Sequence, residues 1–314
     1  MAVKPQDEYM HANTGEPNFN ESMYFNFYDR AARLGGFVRI GNRANEGYAE
    51  VTLAVYQPDG TALFNYMRPS IADNSEFNAG GARFEVIEPF ARVRVAYDGT
   101  AVYLARPLDL EDPKRAFMSN PHQSVRLELD YAGLSPMYGG EAPADTPDMV
   151  FARGHYEQHV KAQGRMTIDG RTTELQGLGL RDHSWGPRSW QSPKFYRWLT
   201  CEFDDRFGFM GSQIVLQNGT ELLSGFVFKD GENHLVQQLD LHTDWTDVAH
   251  YHERLRTTLR TAAGEFRIEG RVLTMLPLRN RRDGKVTRIS EGLTEWHCGD
   301  HVGYGLSEYL DQIA

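Results

Sequence analysis

Ten consecutive residues, Arg181-Asp182-His183-Ser184-Trp185-Gly186-Pro187-Arg188-Ser189-Trp190, bring together an acid, an imidazole, two guanidinium groups and two indoles. A carboxyl held against apolar rings has a raised pKa and can carry a proton near neutral pH. An imidazole beside it can tune that proton or relay it. Indole faces stabilise a passing cation through their quadrupoles. Together these groups suit acid catalysis on a carbon framework, with Asp182 as the acid, His183 as its partner, and Trp185 with Trp190 or Trp198 facing a carbocation. The same residues also suit a strand-end cluster in which Arg181 or Arg188 pairs with Asp182 and Trp185 plugs a barrel, because ion-pair networks mimic active sites.

Three further constellations carry usable chemistry. In His155-Tyr156-Glu157-Gln158-His159, alternation along a strand puts residues 155, 157 and 159 on one face. Two imidazoles and a carboxylate on one face can ligate a metal, line a polar pocket that orients water, or simply meet solvent. In Gly303-Tyr304-Gly305-Leu306-Ser307-Glu308-Tyr309, Tyr304 and Glu308 share a face and Ser307 and Tyr309 the other, so Glu308 is a second candidate titrating carboxyl. Near the start, Glu21, Tyr24, Asn26 and Tyr28 form a polar group, with Arg39 and Arg43 as candidate partners of Glu21 or Glu46. The turn Arg279-Asn280-Arg281-Arg282-Asp283-Gly284-Lys285 reads as a solvated hairpin tip, or less simply as an anion contact.

These residues sit in short alternating runs. Ser22 to Tyr28 puts Met23, Phe25 and Phe27 on one face, as a half-buried strand requires. Pro58-Asp59-Gly60, Asp98-Gly99 and Asp169-Gly170 read as hairpin turns between such runs. Only Pro107 to Asn120 and the C-terminal end look able to hold a helical turn. Residues 109–148 are rich in Pro and Gly and read as an interdomain connection that contains one strand, Ser124 to Tyr131. The division expected is 1–145 and 146–314. At 314 residues two domains are the default.

A formal charge of −10 argues against nucleic acid and anionic membrane partners. Two cysteines, Cys201 and Cys298, exclude a disulfide framework. No apolar run is long enough to span a bilayer, and the polar residues 1–15 lack a signal-peptide core, so the cell interior is the default location. Nucleotide loops, a Gly-x-Ser-x-Gly elbow and spaced cysteine metal patterns are absent.

Asp182-His183-x-Trp185-Gly186 resembles the short motif of the carotenoid 1,2-hydratase (hydroxyneurosporene synthase) and AttH-like superfamily. The likeness is good over about residues 150–200 and architectural elsewhere. The N-terminal half, with Asn20 to Tyr28 and Gly41-Asn42-Arg43, resembles bacterial domains of unknown function. The resemblance implies an all-β fold of two lipocalin-like (calycin) antiparallel barrels or sandwiches packed together. It also implies a reaction on a small apolar terpenoid or steroid-like molecule without metal or organic cofactor: hydration, dehydration, isomerisation or cyclisation. The hydratases also use a Tyr and an Asp on a later strand, which find no aligned counterpart here.

The residues assigned to catalysis are thus Asp182, His183, Trp185, Glu157 and Glu308, the last two as candidate activators of water. Those assigned to substrate are Tyr24, Tyr28, His159, Trp190, Tyr196, Trp198, Tyr304 and Tyr309. A non-catalytic carrier of an apolar ligand, and a metal-dependent enzyme built on His155, Glu157 and His159, are the alternatives.

Overall fold

The computed structural model describes residues 3–141, 152–247 and 250–313. The fold is all-β, and the chain forms two compact units. Unit one comprises Met1–Leu104 with Ser119–Ser189, and unit two Ala105–Met118 with Trp190–Ala314. The boundary expected at 145/146 lies outside the described residues, but the strands flanking it, Tyr138–Glu141 and Gly154–Ile168, pair with each other inside unit one. Proline and glycine in that stretch mark irregular backbone, which a domain edge is only one way to produce.

Unit one holds β1 (Phe19–Asp29), β2 (Leu34–Arg43), β3 (Tyr48–Tyr56), β4 (Ala62–Met67), β5 (Asn78–Ala79), β6 (Ala82–Glu88), β7 (Arg92–Leu104), β8 (His122–Gly133), β9 (Tyr138–Glu141), β10 (Gly154–Ile168) and β11 (Arg171–Pro187). The strands run β4-β3-β2-β1-β11-β10-β8-β7-β6-β5, and a further pairing of β4 with β7 brings the path round on itself. The inner face carries Met23, Phe25 and Phe27 of β1 with Val38, Ile40, Val51, Leu53, Leu127 and Leu129, all buried in one cluster. Each such side chain contributes roughly 1.5–3 kcal/mol of burial, so the odd-numbered face of β1 is fixed inward and its even-numbered face outward.

Two turn expectations fare differently. Asp169 (φ 45°) and Gly170 (φ 79°) form the two-residue turn between β10 and β11. Asp98-Gly99, by contrast, lies within β7, opposite Arg126 and Val125 of β8. The dipeptide signals a turn only when the flanking runs pair with each other, and here both pair with β8 instead.

Unit two is a closed antiparallel barrel of β12 (Pro193–Asp204), β13 (Phe207–Leu216), β14 (Glu221–Lys229), β15 (Glu232–Trp245), β16 (His252–Thr261), β17 (Gly264–Arg282), β18 (Lys285–Cys298) and β19 (His301–Gln312). Leu199, Phe209, Val227, Leu255, Leu259 and Trp296 fill it. Of the expected helical turns, those within residues 107–120 are present as a 3₁₀ segment, Pro107–Glu111, which packs on β17, and α1 (Pro113–Ser119), whereas the C-terminal end is the strand β19 because it closes the barrel against β12 and β18. The basic segment folds as expected into the tip between β17 and β18, with Asp283 and Gly284 at positive φ. Cys201 and Cys298 are both free thiols. Among the described residues no helix is long and apolar enough to cross a membrane.

Candidate functional site

β11 is the element that carries the motif, and its alternation separates neighbours in sequence. Met23 and Tyr156 sit opposite His183, whereas Tyr24 and Glu157 sit opposite Asp182. Register partners point their side chains the same way. His183 and Trp185 therefore belong to the inner face with Arg181, and Asp182 belongs to the outer one.

The outer face gathers Asp182, Glu157 and Tyr24 on three adjacent strands. His159 lies two residues along β10 from Glu157, and Tyr28 lies opposite Leu178 on the same face. Tyr24, Tyr28, Glu157 and His159 are all buried, and Asp182 is partly so. Although some of its surface meets solvent, desolvation pushes the Asp182 carboxyl up to about 6, against the opposing pull of Arg188, Arg39 and His183. A carboxyl in that range passes a proton in either direction near neutral pH. The Tyr24 ring packs against Phe37 at 5.2 Å. The expected Arg39 partner is also corrected, since Arg39 and Arg43 approach Glu50, at 3.7 and 3.4 Å, rather than Glu21. Arg43 also meets Glu46 at 3.1 Å, as expected.

The inner face holds a connected set of charges. Arg181 forms a two-pronged ion pair with Glu8, at 2.5 and 2.8 Å, instead of pairing with Asp182. Burial would raise the Glu8 carboxyl, but Arg181, the Phe90 amide and Tyr156 together hold it below the usual range. Tyr156 donates its hydroxyl proton to Glu8 Oε1 at 2.8 Å and lies 3.1 Å from His183 Nδ1. His183 Nε2 lies 2.5 Å from Glu21 Oε1, and His11 Nδ1 approaches the same oxygen at 2.9 Å. Burial works against ionising Glu21, yet the two imidazoles bring it down to about 2. His11 stacks on Trp185 at 3.8 Å between ring centres. Trp185 in turn lies flat over β10 because residue 154 is glycine, where a Cβ would fall 2.1 Å from the indole. Both ring nitrogens of His183 are thus engaged away from Asp182. The partnership of His183 with Asp182 is corrected by alternation along the strand, which also puts Trp185 on the face opposite Asp182.

The expected metal face also differs. His155 reaches Glu157 at 3.6 Å but is itself exposed. Among the described residues, the His, Cys, Asp or Glu group whose ligand atoms converge is His11, Glu21 and His183, all within 4.8 Å of one another.

In unit two, Trp198 is the register partner of Glu308, which also opposes Glu291 of β18. Tyr196 lies two residues before Trp198 on the same face, and all four are buried. Tyr304 donates to Glu295 at 2.9 Å. The backbone carbonyl of Trp190 accepts from Gln312 at 2.9 Å. Tyr309 turns inward, where it stacks on His252 at 3.9 Å and meets Thr243 at 2.6 Å. His252 Nε2 bonds Ser307 Oγ at 2.9 Å, and Ser307 Oγ lies 2.6 Å from Thr294 Oγ1. Burial depresses His252 to about 3, so this imidazole is neutral. A groove of about 740 Å³ on unit two, with Gln213, Gln238, Asp240 and Arg256 among its lining, includes none of the sequence-predicted site residues.

Glu8, His11 and His252 escaped the sequence reading. Glu8 and His11 sit in a polar segment that looks like a tail, and no local spacing ties them to residues more than 160 positions later. His252 was readable only as the start of a strand.

The profile of one family, described as Domain of unknown function (DUF7064), matches residues 4–313. The chain belongs to the DUF7064 family. That single family spans both units of this DUF7064 chain. No curated protein matches it in sequence. Its fold is similar to that of a protein labelled AttH from Nitrosomonas europaea, with 14% identity, a TM-score of 0.68, and 100% of this chain and 98% of that one covered. It is also similar to kievitone hydratase from Nectria haematococca (10% identity, TM-score 0.60, 96% and 93% covered). CghA, also solved with Sch210972, is a third similar structure (11% identity, TM-score 0.58, 95% and 89% covered without that compound). The AttH-like superfamily expected from the Asp-His-x-Trp-Gly segment is thus consistent with these neighbours at the level of fold.

Proposed function

We propose that this DUF7064 protein is an enzyme that adds water to, or removes it from, a carbon–carbon double bond of a small apolar molecule by acid–base catalysis. The observation that carries the reading is the carboxyl pair Asp182 and Glu157, register partners on β11 and β10, with Tyr24 on the opposite flank of Asp182. The hydratase named among the similar structures supports the same class of chemistry.

In the hydration direction the Asp182 carboxyl gives its proton to one alkene carbon, whose π electrons form the new C–H bond. The other carbon becomes a cation, which the Tyr24 ring face stabilises. Water attacks that carbon and loses a proton to the Glu157 carboxylate. Return of this proton from Glu157 to Asp182 across the strand pair restores the starting state, and the net change is one water added. Dehydration runs the steps backward, and isomerisation loses a carbon-bound proton to Glu157 in place of the attack by water. His159 and Tyr28 lie along the same face and suit contact with the remainder of the substrate. Glu308, Trp198 and Tyr196 form a comparable acid-and-aromatic face on the barrel of unit two.

The test is to incubate the purified chain with terpenoid and prenylated aromatic alkenes in isotope-labelled water and follow label incorporation by mass spectrometry. Asp182→Asn should lower turnover by about 10²–10⁴-fold while keeping its circular dichroism. Tight binding of these compounds with no change in their mass would instead make the protein a carrier.

A further inference from the structure

Hydrogen bonds at the inner cluster orient three convergent ligand atoms, from His11, Glu21 and His183. Glu8 is ionised and accepts from Arg181, the Phe90 amide and Tyr156. The one proton of the Tyr156 hydroxyl is therefore spent on Glu8, and its oxygen accepts from His183 Nδ1–H. His183 Nε2 then faces Glu21 Oε1 across 2.5 Å, with a proton shared between them. His11 Nε2 lies 3.9 Å from Asp7 Oδ1, and His11 Nδ1 faces the same Glu21 oxygen at 2.9 Å. Two imidazole nitrogens and one carboxylate oxygen thus converge, and a divalent ion bound there would displace the protons now shared between them. Glu21 Oε2 is separately fixed by the His11 backbone amide at 3.0 Å, which leaves Oε1 oriented toward the two rings.

We propose that His11 Nδ1, Glu21 Oε1 and His183 Nε2 bind one divalent transition-metal ion of the zinc type. Two imidazoles and one carboxylate form a donor set that suits zinc and its first-row neighbours better than magnesium or calcium. The surroundings are those of a built metal site. The distal nitrogen of His183 is held by Tyr156, and Tyr156 by Glu8 and Arg181, which fixes both tautomer and ring plane. Trp185 holds the His11 ring by stacking. The His11 side chain is 18% exposed, against 0% for the other two, so the side of His11 is the one by which an ion could enter. Glu21 Oε1 lies 2.5 Å from His183 Nε2 and 2.9 Å from His11 Nδ1, closer than the roughly 3 Å spacing of ligands around a common ion, so binding must turn the Glu21 carboxylate away from both rings. The ion would fasten the segment ahead of β1, which carries His11, to β1 and β11.

The experiment strips the full-length protein with a chelator, adds zinc alone, removes excess by gel filtration and measures bound metal together with the melting temperature. The expected result is about one zinc per chain, a higher melting temperature than the stripped protein, and a tetrahedral-type absorption band when cobalt(II) replaces zinc. His11→Ala should retain less than about a tenth of the zinc and show no melting shift with it. This variant leaves every strand intact, so it decides the matter even if Glu21→Gln fails to fold. Absence of retained zinc in the native chain, or retention unchanged by His11→Ala, overturns the proposal and leaves protons as the cations between Glu21 and the two rings.

Discussion

Each unit buries a histidine inside its sheet, and the two are held in opposite ways. His183 of unit one faces a carboxylate and belongs to a chain of charges running Arg181, Glu8, Tyr156, His183, Glu21, His11. His252 of unit two meets the hydroxyl and backbone carbonyl of Ser307 and the Tyr309 ring, with Arg197 and Arg288 near enough to oppose its protonation. Charge can be buried when every member has an opposite partner, and it then makes the whole set mutually dependent. A neutral polar cluster costs less to break, because each group that loses a partner loses one hydrogen bond and no ionic complement.

The comparison predicts its own ordering of effects. Arg181→Met should be the most damaging, since it leaves Glu8 buried with its ionic partner gone. A loss of about 3–5 kcal/mol, read by chemical denaturation, is expected, and a loss under about 1 kcal/mol would mean that the charged chain is not cooperative. Next comes the pH response of unit two. Burial pushes its His252 down to about 3 from the ordinary imidazole value of about 6.5. Between those values the unfolded chain binds a proton that the folded chain does not, so stability falls as pH falls, by about 1.4 kcal/mol per pH unit for this group. Comparing native protein with His252→Gln across pH 6.5 to 4 should show a shallower decline in the variant. Identical slopes would place the effect elsewhere. Ser307→Ala removes the hydroxyl between His252 and Thr294 and should cost about 1 kcal/mol. The smallest effect belongs to an exposed pair. Arg165→Ala breaks the bridge to Glu128 on the solvent side of unit one and should change stability by no more than about 0.5 kcal/mol.

Much of the architecture was legible beforehand because strand alternation is a local property. Met23, Phe25 and Phe27 announced the inner face of β1, and Asp169-Gly170 announced its turn. The misread Asp98-Gly99 shows the limit, since a turn dipeptide reports what the backbone tolerates and not which strand pairs with which. The motif on β11 shows the same limit in its chemistry. Asp182 and His183 were readable as reactive types, and even as occupants of opposite faces of a strand, but adjacency in the chain suggested a partnership that the sheet forbids.

By itself, then, the sequence determined the strand-rich class, the polarity of each strand's two faces and the residue types able to handle protons. It could do so because those follow from side-chain size, charge and a period of two. Only the tertiary structure decided that Glu157 and Tyr24 flank Asp182, that Glu8 takes Arg181, and that His11 and Glu21 meet at His183. Those choices depend on register between strands distant in the chain, and register is set by the summed packing of whole sheets, which no short stretch of residues encodes.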